Sequence, residues 1–131
     1  MRRFIGLLIT SLVLSACSTA EPRVNYVFDC RTNVQQPKEL TVYCADGGQI
    51  IQEIRWFNWT DLSATGEGIA FTNQCDPNCA EGQIQRSKVK ITLLDVEDVD
   101  GISMFTTLQL LYTDPPKGRQ TVENVALATG K

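Results

Sequence analysis

The stretch Trp56 to Gly82 (WFNWTDLSATGEGIAFTNQCDPNCAEG) gathers the residue types best suited to recognition or chemistry. It holds both tryptophans, three of the nine glycines and a tight Cys75-Asp76-Pro77-Asn78-Cys79 loop. Trp56, Phe57 and Trp59 are of the kind that builds an aromatic platform for a sugar ring or a lipid-like ligand, with core and hairpin packing as the competing use. Farther on, Asp95, Glu97, Asp98 and Asp100 crowd four carboxylates just before Gly101. Such oxygens suit calcium, yet the spacing departs from the EF-hand template, and a solvated hairpin tip is the plainer use. The same carboxylates could supply a glycosidase-type pair, but nothing in the spacing positions an acid against a base. Histidine is absent. That removes the commonest general base, the commonest zinc ligand and every Ser-His or Cys-His scheme. Without a Gly-x-Ser-x-Gly elbow, no serine or threonine stands out as a nucleophile. No catalytic residue and no cofactor is assigned.

The amino terminus carries an address. Met1-Arg2-Arg3 supplies a positive segment and Phe4 to Leu14 an apolar run of signal-peptide length, too short to span a bilayer. Leu14-Ser15-Ala16-Cys17 then resembles the bacterial lipobox. By that resemblance residues 1–16 are removed and Cys17 becomes a lipidated first residue, its acyl chains holding the protein on the outer face of the cytoplasmic membrane. An ordinary secretory signal with a chance cysteine is the alternative. Residues 17–25 read as the lipidated Cys17 and a short polar tether.

Four cysteines remain, Cys30, Cys44, Cys75 and Cys79, an even set in an oxidising compartment. Three pairings are possible. Sequence order favours Cys30–Cys44 with Cys75–Cys79, because Pro77 and Asn78 supply turn chemistry between the latter two. A four-cysteine zinc site lacks any C-x-x-C pair, and a redox-active Cys75–Cys79 lacks the usual catalytic spacing.

Hydrophobic residues make up 43% and charged residues 21%, a globular balance for one domain. Net charge is −3, and loss of Arg2 and Arg3 takes it to −5, so nucleic acid is not expected as a partner. Six short strands are expected: Tyr26–Cys30, Glu39–Cys44, Gln49–Trp59, Ile69–Thr72, Gln83–Leu94 and Ile102–Tyr112. Loops are expected over Thr32–Lys38, at the Asp46-Gly47-Gly48 turn, over Asp61–Gly68 and through the acidic turn Asp95–Gly101. In Gln83–Leu94, Val89, Ile91 and Leu93 face inward, while Lys88, Lys90 and Thr92 face out. Ile54 and Trp56 share a face, and Trp59 joins them only if a bulge intervenes; one tryptophan is expected in the core and the other half exposed. Residues 113–131 read as a loosely docked tail whose Val122–Leu127 segment is either a short helix or an edge strand. The fold class is all-β, a small antiparallel sandwich or barrel of about six strands, stapled by disulfides and confined to residues 26–112.

Pro37…Leu40…Cys44-Ala45-Asp46-Gly47, Ile54…Trp56…Trp59, Ala64-Thr65-Gly66-x-Gly68 and Asn73-x-Cys75-x-Pro77-x-Cys79-Ala80-x-Gly82 together resemble small exported actinobacterial proteins and lipoproteins of unknown function. The resemblance covers about Cys30 to Tyr112. It implies a disulfide-stapled envelope domain and carries no activity or ligand; the acidic Asp95–Asp100 turn is not among the features that carry it. The expected function is a lipid-anchored, non-catalytic binding or accessory module in the cell envelope. Its partners would be the membrane, through the Cys17 lipid, and an envelope protein or glycan. A binding surface would involve Trp59, Asp76 and Asn78. An envelope glycan hydrolase using carboxylates alone and a purely structural envelope protein are the alternatives.

Overall fold

The computed structural model describes residues 16–19 and 21–131. Except for Ala16, the export signal read over residues 1–16 lies outside them. Eight strands follow one another: β1 (Val27–Phe28), β2 (Asn33–Val34), β3 (Leu40–Thr41), β4 (Gln49–Trp59), β5 (Ala64–Asn73), β6 (Ile84–Val99), β7 (Ile102–Tyr112) and β8 (Val122–Ala126). β3 to β8 form one antiparallel sheet in simple sequence order, and β1 pairs with β2 in a separate ribbon. Among the described residues there is no helix, so the fold is all-β.

Alternation decides which face is buried. The register aligns Trp59, Ala64, Leu93, Leu108 and Val125 across five strands, and next to them Trp56, Gly66, Ile91 and Leu110. Period-two side chains on neighbouring strands therefore converge on one inner face. Val89, Ile91 and Leu93 are buried there as the pattern of β6 dictates, while Lys88 and Lys90 are exposed. The ribbon covers this face. Val27 is wholly buried, Tyr26 bridges to Met104 of β7, and the Cys30–Cys44 disulfide ties the ribbon's far end to the segment after β3. The curled sheet is thus closed by its own amino-terminal segment.

β4 must bend to take part. Its register with β5 slips between Gln52 and Arg55 and again between Trp56 and Asn58. Each bulge adds one residue and reverses the inward parity, so Ile51, Ile54, Trp56 and Trp59 all reach the core despite their irregular spacing. The bulged strand presses on β5. A Cβ on Gly66 would sit 2.7 Å from the carbonyl oxygen of Arg55, and one on Gly68 2.9 Å from that of Gln52. These glycines serve close approach rather than a loop, and the expected Asp61–Gly68 loop shrinks to the turn at Thr60–Ser63.

Other expectations also change. The Thr32–Lys38 loop contains the short strand β2, and the first and third strands are shorter than their apolar runs suggested. The Asp95–Gly101 turn is largely strand: Val96 opposes Phe105 and Val99 opposes Ile102, leaving Asp100-Gly101 as a two-residue hairpin turn with φ of 54° and 82°. The tail is not loosely docked. β8 pairs with β7 from Leu111↔Val122 to Thr107↔Ala126, and Leu127 is buried in the core, so the sheet runs beyond residue 112. Leu108 and Leu110 would otherwise leave an apolar edge open to water.

Candidate functional site

The hairpins turn at two opposite poles. One pole carries the Thr60–Ser63 turn, the Asp100-Gly101 turn and the point where the amino-terminal segment leaves the domain at Val24. The other carries the Asp46–Gly48 turn, the Cys75–Cys79 loop and the turn after β7. Trp59 pairs with Ala64 at one end of β5, whereas the cysteine loop follows Asn73 at the other. Ten residues of strand separate them, about 30 Å. The expected surface joining Trp59 to Asp76 and Asn78 is therefore divided, and its members act apart.

At the first pole the tryptophans are packing residues. Trp56 and Trp59 meet edge to face at 4.8 Å between centroids, and Trp59 meets the buried Phe105 in the same manner at 5.4 Å. Both are half-buried and packed against the core, so of the expected pair, one in the core and one half exposed, only the half-exposed member is found, twice. Each indole N–H is engaged, donated by Trp56 to the Pro37 carbonyl at 2.8 Å and by Trp59 to that of Asn25 at 3.0 Å. Phe57 points to the opposite, exposed side, where the Arg55 guanidinium lies 5.3 Å from its ring. No three-ring platform forms. Asn25 is fully buried: its amide donates to the Thr60 carbonyl, and its Oδ1 accepts a 2.6 Å hydrogen bond from the Ser103 hydroxyl. It locks the emerging chain to both hairpin turns.

The four carboxylates of this pole do not assemble a cation site. Among the described residues no group of three or more acidic, cysteine or histidine side chains stands close enough to hold a metal. The physical reason is the paired strand: its pleat sends Glu97 and Asp98 to opposite faces. Asp98 instead accepts from the Gly101 amide at 2.9 Å, Asp100 pairs with the Lys131 ammonium at 2.9 Å, and Asp95 lies beyond the turn. The calcium candidate therefore finds no ligand cluster among the described residues.

At the second pole a disulfide joins Cys75 to Cys79. Side-chain amides complete the loop. Asn73 accepts from the Cys75 amide and donates to the Cys79 carbonyl at 2.8 Å; Asn78 accepts from the Glu81 amide and donates to the Glu81 carboxylate. Gly82 closes it, since a Cβ there would meet Asn73 Oδ1 at 2.1 Å. Asn78 is therefore a structural residue. Asp76 is free: it lines an open cleft of about 510 Å³ with Gln74, Gln83, Lys117 and Gly118. The cleft wall is held by Gln85, whose Oε1 accepts from both Gln74 Nε2 at 2.9 Å and the Lys117 backbone amide at 3.1 Å. Gly118, at φ 80°, makes the turn that brings Lys117 to the cleft.

Behind the cleft runs a polar network. Gln49, fully buried, donates to Thr72 Oγ1 at 2.8 Å and to the Tyr112 hydroxyl at 2.7 Å. Tyr112 donates to Glu123 at 3.1 Å, and Arg119 bridges Glu123 to the Tyr43 hydroxyl. Burial pushes the Tyr112 pKa up to about 12, and the Glu123 carboxylate adds to the rise. Burial alone would lower the Arg119 pKa, but its bonds to Tyr43 and Glu123 outweigh this and leave it raised. At neutral pH Tyr112 is thus a fixed donor, not an acid–base group. Sequence reasoning passed over Asn25, Gln49, Lys117, Arg119 and Glu123. Only Gln49 left a signal, since it occupies an inward position of β4.

Cys17 is exposed and outside either disulfide. Compared with protein-family models, curated proteins and solved structures, the chain finds no match.

Proposed function

We propose that the protein is a lipid-anchored domain of the cell envelope that binds a polar partner, a glycan or an envelope protein, without transforming it. The observation that carries this reading is the cleft beside the Cys75–Cys79 loop. There the disulfide, two asparagine side chains and Gln85 hold the backbone rigid, while Asp76, Gln83 and Lys117 keep polar groups free toward solvent. Rigid walls with free donors and acceptors favour recognition, because little side-chain and loop entropy is lost on binding. The Leu14-Ser15-Ala16-Cys17 motif supports the anchor.

A photo-cross-linking residue placed at Gln83 in whole cells tests the binding part. Specific adducts are expected, reduced several-fold by Asp76→Ala or Lys117→Ala and unaffected by Phe57→Ala. Adducts indifferent to both cleft substitutions, or none at all, would leave a purely structural envelope protein as the better account.

A further inference from the structure

We infer that the pole carrying the Thr60–Ser63 and Asp100-Gly101 turns rests on the lipid surface through an exposed apolar rim, which turns the cleft away from the membrane. The inference rests on the anchoring proposed above and adds an orientation to it. Val24 is 51% exposed, Leu62 75%, Val96 36% and Ile102 38%. Val24, Val96 and Ile102 line one shallow depression together with Arg23, and Val24 also borders Trp59 and Thr60 beside the Leu62 turn. Ile84, Leu111 and Val122 are exposed toward the other end, but Val24, Val96 and Ile102 share one depression where the chain enters the domain, and that continuity marks a contact surface.

The chain itself names the occupant. Ser18 to Val24 is the whole connection between Cys17 and the buried Asn25, and fully extended it reaches about 25 Å. Because that connection leaves from this same pole, acyl chains on Cys17 keep the rim within a tether length of the bilayer, and the opposite pole stands a further strand length out. Charge fixes the character of the contact. Asp61, Glu97 and Asp98 line the same depressions and, with Asp100 in the turn, outnumber Arg23 and Lys131. Contact is therefore apolar, and anionic lipid opposes it.

The unpaired Cys17 thiol allows a test that does not depend on lipidation in the cell. The protein is coupled through Cys17 to a maleimide-headgroup lipid in phosphatidylcholine vesicles carrying a paramagnetic headgroup probe, and amide signal loss is read by residue. Signals of Thr60–Ser63 and Gly101–Ser103 are expected to weaken several-fold more than those of Asp76–Gly82 and Lys117–Gly118. The difference should shrink in vesicles rich in phosphatidylglycerol and in Leu62→Glu/Ile102→Glu, a pair of exposed positions whose substitution leaves the core intact. Equal loss at both poles, greater loss at the cysteine loop, or a stronger effect on anionic vesicles would overturn the orientation. If Cys17 purified from cells carries no lipid while the coupled protein still orients, the anchoring fails and the rim's preference stands.

Discussion

At the residue scale, the most consequential side chain is one that sequence gives no reason to notice. Tyr112 ends β7 with its ring in the core and its hydroxyl between Gln49 and Glu123. Tyr112→Phe keeps the ring but leaves one buried amide N–H of Gln49 without its acceptor and removes one of the donors to Glu123, which keeps Arg119. A loss of about 1–3 kcal/mol in urea-unfolding free energy is expected. Alkaline titration gives a second check. The pKa is raised in the folded protein, so its contribution is complete below the ordinary tyrosine value near 10 and is lost as pH climbs toward about 12. Across that window the wild type should lose about 2–3 kcal/mol more than the Phe variant. A parallel fall in both would remove Tyr112 from the account. Gly66 makes a contrasting case: Gly66→Ala drives a methyl against the Arg55 carbonyl, and a destabilisation of about 1–3 kcal/mol is expected in the same assay.

At the element scale, the sheet's two ends are secured by segments that sequence reads poorly. Leu127, just past β8, is buried, so Leu127→Ala should cost about 2–5 kcal/mol, where an undocked tail would show almost no change in thermal unfolding. Replacing Cys30 and Cys44 with alanine should cost about 3 kcal/mol and loosen the β1–β2 ribbon; the Cys75–Cys79 pair closes a much shorter loop and should cost less while reshaping the cleft. The strong strands were legible because alternation in Gln83–Leu94 and the apolar run of Ile102–Tyr112 reflect burial directly. Three features were not. Gly66 and Gly68 signal a bend as readily as a close approach, and only the bulges of β4 decide between them. The carboxylates of Asp95–Asp100 hide the Val96 and Val99 alternation that continues β6. Val122–Ala126 has too few apolar residues to declare a strand alone; its place is set by the unpaired edge of β7. The division of Trp59 from Asp76 likewise follows from strand direction, which no local spacing reveals.

At the scale of the whole molecule, the sheet has unlike ends. One pole combines the exit of the tether, the Asn25 lock and the apolar rim; the other holds the disulfide loop and the open cleft. The anchor proposed at the first depends on Cys17 carrying lipid; the recognition proposed at the second is tested separately by the cleft substitutions. The most direct measurement is the intact mass of the protein extracted from membranes of a bacterium that processes lipobox signals. The account predicts a chain that starts at Cys17, is heavier by a diacylglyceryl group, and moves to the soluble fraction as Cys17→Ala. A chain that starts elsewhere, carries a free Cys17 thiol and fractionates alike with and without the substitution would contradict it.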